Sequence, residues 1–220
     1  MNFYSYDIDQ YDFRSFIANI FNCRQGQLNK IHEKYGSYEQ FDMSNNSNTV
    51  LHDLFYNNLR SSNDFTYLYE DFINYKMTSI ISEPFLFQTK PTLRIHFVGN
   101  WATPEFHTDA EEGYNHPSGE INFFLPLVSC YDTNALWVES EPAKADFAPI
   151  TAEYGDLVGW SGGTLSHGNK INETVDTRVS LDFRILPISK YDPNYSKTSA
   201  TSGTKFTIGG YYKECSRSLI

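Results

Sequence analysis

Two short patterns in this sequence bring together residue types that bind and activate small ligands. The first is His107-Thr108-Asp109. On a strand, side chains i and i+2 leave the same face, so a ring nitrogen and a carboxylate oxygen at this spacing can meet one ion. A lone His-x-Asp is a weak signal in a chain with six histidines, and a second histidine must come from elsewhere in the fold. His167 supplies it, in a short strand-like segment after the turn Ser161-Gly162-Gly163. Two imidazoles and a carboxylate on one face of an octahedron leave three positions open, a ligand set suited to non-haem iron(II).

The second pattern is Arg178-Val179-Ser180, on the strand that follows His167. A guanidinium and a hydroxyl on one face, a strand away from a metal ligand, suit the distal carboxylate of a dicarboxylic acid. In 2-oxoglutarate the other end can chelate iron through the 1-carboxylate and keto oxygen, which leaves one position for O2. Other polar residues have blander readings. His96 reads as a satisfied core residue, and His32 and His52 as surface residues of helices. His116 reads as loop near the triad, and Asp182 as a partner of Arg184 or Arg94. Trp101, Trp137 and Trp160 read as core or pocket wall.

The elements that must hold these residues change character along the chain. Phe13, Phe16, Ile17, Ile20 and Phe21 form one helical stripe, and Leu51, Leu54, Phe55 and Leu59 another; a third helix is expected from Phe65 to Met77. The polar run Ser44 to Asn48 reads as a loop, and Glu83-Pro84 ends the helical front. From Pro91 the period becomes two, with strands at Thr92–Val98, Glu120–Leu125 and Arg178–Ile185. Shorter candidates lie at Ala135–Ser140, Phe147–Glu153, Asp156–Trp160 and Leu165–Gly168. On the Arg178 strand, Val179, Leu181, Phe183 and Ile185 point one way and Arg178, Ser180, Asp182 and Arg184 the other. The polar face is either solvated or lines a barrel interior while the apolar face packs under the N-terminal helices. The tail from Lys190 to Gly203 reads as a surface excursion or mobile flap.

Bulk composition narrows the class. At 220 residues the chain suits one domain with a real core, and 16% aromatic residues fit a ring-built interior. A net charge of −10 without a basic cluster argues against a nucleic-acid partner. No apolar run is long enough for a membrane helix, the N-terminus lacks a signal-peptide pattern, and the three cysteines form no CxxC pair. The expectation is a soluble cytoplasmic protein with a small-molecule substrate and neither nucleic-acid nor membrane partner.

Several stretches resemble the Fe(II)/2-oxoglutarate-dependent oxygenases, and within them a streptomycin-biosynthesis-like branch. They are Gln88 to Arg94, Phe106 to Asp109, Gly119 to Leu127, Leu136 to Ser140, His167-Gly168-Asn169 and Thr177 to Arg184, with a weaker echo at Phe206 to Tyr212. The resemblance implies an α+β fold, a double-stranded β-helix (a cupin-like jelly-roll barrel) buttressed by N-terminal helices. In a single oxygenase domain of residues 1–220, helical support would occupy 1–90, the barrel core 91–187 and a C-terminal extension 188–220. It implies iron(II) at His107, Asp109 and His167, and 2-oxoglutarate at Arg178 with help from Ser180 and Asn122. Gln88, Arg94, His116, Trp137 and Arg184 are candidate substrate contacts.

The implied activity is a dioxygenase reaction, with hydroxylation of a small polar molecule and release of succinate and CO2. Halogenating relatives have Gly or Ala where Asp109 stands, so the carboxylate favours hydroxylation. Desaturation, cyclisation and epimerisation remain same-class alternatives. A non-catalytic metal-containing β-barrel that binds a small ligand is the rival from another class, and Arg178-Val179-Ser180 counts against it. A cupin isomerase or a cosubstrate-free dioxygenase would favour more histidine ligands. Glu111, Glu112 and Glu139 near the expected mouth favour a cationic or hydroxyl-rich substrate such as an amino sugar or amino acid.

Overall fold

A computed structural model describes residues 1–36, 49–102, 106–200 and 202–216. Among these, two antiparallel sheets and a layer of helices account for the regular structure. The helices are α1 (Phe13–Ile20), α2 (Ile31–Tyr35), α3 (Val50–Ser61) and α4 (Asp64–Tyr75). The Asp12 side chain caps α1 by accepting from the Ser15 backbone N–H at 3.0 Å, which satisfies one otherwise unpaired amide. The predicted loop from Ser44 to Asn48 lies outside the described residues.

The strands are β1 (Asn2–Ser5), β2 (Phe85–Gln88), β3 (Thr92–His96), β4 (Ile121–Pro126), β5 (Trp137–Val138), β6 (Ala148–Pro149), β7 (Asp156–Trp160), β8 (His167–Gly168), β9 (Arg178–Pro187) and β10 (Tyr212–Glu214). The larger sheet runs β1-β7-β4-β9-β2-β10, with β3 also on β9. β9 is its spine: β4 pairs along one edge, while β3 and then β2 share the other. The smaller sheet runs β6-β5-β8.

Both faces of β9 are buried, for different reasons. Val179, Leu181, Phe183 and Ile185 join Phe13, Ile17, Phe55, Phe65 and Phe72 in the core between helices and sheet. The rings there meet mostly edge-on, as at Phe72 and Phe183, an arrangement their quadrupoles favour. A second core joins Phe124, Val158 and Trp160 of the large sheet to Leu136, Val138 and Ile150 around the small one. Of the two readings of β9's polar face, the structure selects the enclosed one: Arg178, Asp182 and Arg184 line a cavity.

Several expectations are corrected. The front of the chain is not wholly helical: β1 pairs β7, in a register from Asn2↔Gly159 to Ser5↔Asp156, and β2 pairs β9 and β10. Runs predicted as strands of several residues shrink to two at β5, β6 and β8. His52 is not a surface residue; it is 3% exposed and bonds the Thr49 hydroxyl at 2.8 Å at the start of α3. The tail is a surface excursion, as expected, but it is anchored: the Tyr195 hydroxyl donates to the Asn115 carbonyl at 2.9 Å, and Ser199 is buried. No described helix is long and apolar enough to cross a membrane.

Candidate metal centre

His107 and His167 are brought together by the backbone. Each donates its N–H to the other's carbonyl, at 3.0 and 2.9 Å, in an isolated antiparallel bridge that extends the small sheet beyond β8. Directly opposed residues of an antiparallel pair project to the same face, so both rings must address the same space. Asp109 follows two residues on, its N–H fixed to the Gly162 carbonyl at 2.8 Å. The Nε2 atoms of His107 and His167 each lie 3.7 Å from Asp109 Oδ1, and the potential ligand atoms of the three residues all fall within 4.8 Å of one another. Octahedral neighbours at about 2.1 Å from a metal stand about 3 Å apart, so the three side chains would draw together by about 1–2 Å to coordinate one ion.

Each ligand is held from behind. His167 Nδ1 lies 3.0 Å from the Leu165 carbonyl; donating there leaves the Nε2 lone pair for a metal. The His107 ring stacks on Tyr114, with centroids 3.9 Å apart and planes at 11°. Asp109 divides its two oxygens. Oδ2 accepts from Asn122 Nδ2 at 2.6 Å and from Arg184 Nε and Nη2 at 3.1 and 2.9 Å. Oδ1 faces the two histidines. Burial alone would raise the Asp109 pKa, but the adjoining Arg184 and the histidines hold it well below the usual carboxylate range. Burial lowers the His167 pKa against the pull of Asp109, which favours the neutral ring that a metal needs.

Around these three residues a cleft, partly open to solvent, is lined by Arg94, Phe124, Leu136, Trp160, Asn169, Arg178 and Asp182 among others. Its charged groups are not all paired. Arg94 Nε donates to Asp182 Oδ2 at 3.0 Å, and Arg184 is taken up by Asp109. Arg178 is 2% exposed and donates through Nη1 to the Asn134 carbonyl at 2.9 Å. Among the described residues no carboxylate lies within ion-pairing distance of it, and its Nε has no acceptor. Burial accordingly lowers its pKa. Ser180, two residues on, is fully buried; its hydroxyl is also without a partner, and it does not reach the cleft wall.

The other residues singled out in the sequence separate into two groups. Asn122, Arg94 and Arg184 line the cleft with the metal-type ligands. Gln88 does not: its Nε2 donates to the Lys90 carbonyl and the Thr92 hydroxyl, bracing the turn between β2 and β3. Trp137 also lies outside, with Lys170 Nζ 3.4 Å from its ring centroid. His116 turns away to Glu120, with Nδ1 2.8 Å from Oε2. Arg184 donates to the Asp109 carboxylate through Nε and Nη2. The acidic mouth is not as expected either. Glu139 is buried and accepts backbone N–H groups of Ser166, Ala145 and Ala143, while Glu111 accepts from Thr108. Sequence reasoning missed Glu120, Tyr211 and Gly162, whose contacts arise only from tertiary pairing.

No family model matches the sequence. A stretch of 125 residues, 57% of the chain, is 38% identical to the streptomycin biosynthesis protein StrG of Streptomyces griseus, and the match spans 58% of that protein's length. Among solved structures, a non-haem monooxygenase, ThoJ in its nickel complex, is similar with a TM-score of 0.44 and 11% identity over 84% of this chain and 73% of that one. SnoK, a non-haem α-ketoglutarate-dependent carbocyclase from nogalamycin biosynthesis, has a TM-score of 0.39 and 11% identity over 48% of this chain and 51% of that one. These structural likenesses are distant.

Proposed function

We propose that this chain is a mononuclear non-haem iron(II) oxygenase that uses 2-oxoglutarate and O2 to hydroxylate a small polar molecule. The observation that carries the reading is Arg178, a buried cation without a carboxylate partner in the cleft that His107, Asp109 and His167 line. A buried charge normally pairs or neutralises. Here Asp109 and Asp182 are already committed to Arg184 and Arg94. A divalent metal would add further positive charge, so the cleft as a whole calls for an anion of more than one negative charge. 2-Oxoglutarate meets that requirement, with one carboxylate for Arg178 and a chelating end for the metal.

The polar atoms without partners fit such a ligand. Arg178 Nε, Asn122 Oδ1 and Trp160 Nε1 belong to residues that line the cleft, and each is without a hydrogen-bond partner. Because Asn122 and Arg184 occupy Asp109 Oδ2, the carboxylate would bind a metal through Oδ1 alone and take up one coordination position. Phe124, Leu136 and Trp160 wall the cleft with apolar surface, which limits water and strengthens every charge interaction within it. Iron(II) bound there would supply O2 chemistry, converting 2-oxoglutarate to succinate and CO2 with one oxygen atom and hydroxylating the substrate with the other.

We read the two sheets as the halves of a double-stranded β-helix within a single domain spanning residues 1–220, in a reducing, cytoplasmic setting. Similarity to a streptomycin biosynthesis protein favours an amino sugar, amino acid or related secondary metabolite as substrate. Succinate release in the presence of Fe(II), 2-oxoglutarate and O2 tests the proposal, with compounds of these classes screened for stimulation. The expected result is stimulated release that disappears without Fe(II) or in His167→Ala. Release that survives His167→Ala would show that the chemistry lies elsewhere.

A further inference from the structure

The clamp on Asp109 continues beyond the cleft into the C-terminal segment. Arg184 is 8% exposed and lies between two buried carboxylates: it bonds Asp109 Oδ2, and its Nε lies 3.6 Å from Glu120 Oε2. Its third nitrogen, Nη1, donates to the Tyr211 hydroxyl at 3.3 Å. Glu120, 2% exposed, is itself held from two sides. His116 Nδ1 meets Oε2, and the Tyr212 hydroxyl donates to Oε1. Burial and the neighbouring Glu120 raise the Tyr212 pKa far above its ordinary value, so the phenol keeps the proton it donates.

Tyr211 and Tyr212 belong to a compact patch formed by the end of the chain. Phe206, Tyr211 and Tyr212 pack with Leu86 and Leu186 of β2 and β9, and the Phe206 ring lies 4.8 Å from His116. Thr89 donates its N–H and hydroxyl to the Tyr211 carbonyl, both at 2.9 Å, and β10 adds to β2. The segment therefore sits one side chain away from a carboxylate that faces both histidines.

We propose that Glu120 and Tyr211 are positioning residues for the metal centre, so that docking of the segment from Phe206 to Glu214 and metal binding at Asp109 strengthen one another. This rests on the metal reading of His107, Asp109 and His167. With Glu120 and Tyr211 in place, Arg184 is fixed and only part of its charge is available to Asp109, whose Oδ1 stays aimed at the metal position. Without them, Arg184 can turn fully onto Asp109, draw down its negative charge and rotate the carboxylate. Coupling between two binding events is reciprocal, so a bound metal must also favour the docked segment.

The test uses Mn(II), which needs no redox chemistry, and the full chain. Calorimetry would measure Mn(II) affinity for the unsubstituted protein, Glu120→Gln, Tyr211→Phe and His107→Ala; hydrogen exchange at Tyr211 and Tyr212 would be followed with and without Mn(II). The expected result is one Mn(II) per chain, lost in His107→Ala, with affinity about 10-fold or more weaker in Glu120→Gln and Tyr211→Phe. Exchange at Tyr211 and Tyr212 should slow when Mn(II) binds. Failure to bind Mn(II), or equal binding by His107→Ala, would overturn the metal reading and this inference with it. Binding that requires His107 but is unchanged in both positioning variants, even with a lowered melting temperature, would overturn the inference alone. Exchange unaffected by bound Mn(II) would do the same, and that measurement on the unsubstituted chain does not depend on any variant folding.

Discussion

Asp109 uses its two oxygens for different purposes, and this sets it apart from its two histidine neighbours. Replacing His107 removes a ring stacked on Tyr114, at a cost of about 1 kcal/mol. Asp109→Ala instead takes the principal counter-charge from buried Arg184. Breaking a buried pair in this way costs about 3–5 kcal/mol, and Glu120 at 3.6 Å offsets part of it. Urea unfolding of the metal-free protein should therefore show Asp109→Ala destabilised by about 2–4 kcal/mol, clearly more than His107→Ala or His167→Ala. Equal losses in all three would show that the Arg184 contact adds little to the fold. That His107, Asp109 and His167 come together was legible in the sequence, because a His-x-Asp spacing and a later histidine are local patterns that paired backbone turns into a shared face. The clamp was not legible. Arg184 lies 75 residues from Asp109 in sequence, and its role follows from the pairing of Asn122 with Arg184 across β4 and β9.

Two glycines separate the parts that elements play in stability and in the site. A Cβ at Gly162 would lie 2.3 Å from Asn122 Nδ2, so Gly162→Ala must displace the amide that holds Asp109 Oδ2. A Cβ at Gly159 in β7 would lie 2.9 Å from the Phe123 ring, in the core shared with the helices. Gly162→Ala should weaken Mn(II) binding about 10-fold with a modest change in melting temperature. Gly159→Ala should lose about 1–3 kcal/mol by overpacking and bind Mn(II) normally. Calorimetry and thermal melts of the two variants check this contrast, and a shared loss of both properties would contradict it. Elements with strong periodicity were legible, namely α1, α3, α4, β3, β4 and β9, and so was the shorter run of β7. The miss at β1 has a physical cause: it is an edge strand of four residues, mostly exposed, without the apolar alternation that announces a strand. β10 is three residues long and pairs with the β2 edge, while β5, β6 and β8 are two residues each, with the neighbouring Leu136, Ile150 and Leu165 packing into the second core from outside the strands.

The whole molecule holds histidines that its unfolded chain would protonate more readily. Burial lowers the pKa of His52 to about 4 and of His96 to about 3, from an ordinary 6.5. Above pH 6.5 both are neutral in either state. As pH falls below 6.5 the unfolded chain takes up these protons first, so stability is lost down to about pH 4 for His52 and about pH 3 for His96. Each contributes a slope of about 1.4 kcal/mol per pH unit. Urea unfolding between pH 7 and pH 4.5 should show this decline, and His96→Asn should remove roughly one proton's share of it; an unchanged slope would contradict the assignment. The central claim is tested most directly by an anaerobic titration of the Fe(II)-loaded protein with 2-oxoglutarate, followed through the weak visible charge-transfer band that chelation produces. The expected result is saturation at one equivalent, no band in His107→Ala, and an apparent affinity about 30-fold or more weaker in Arg178→Ala, equivalent to at least about 2 kcal/mol for a shielded charge contact. An identical titration in Arg178→Ala, or no band in the unsubstituted protein, would contradict it.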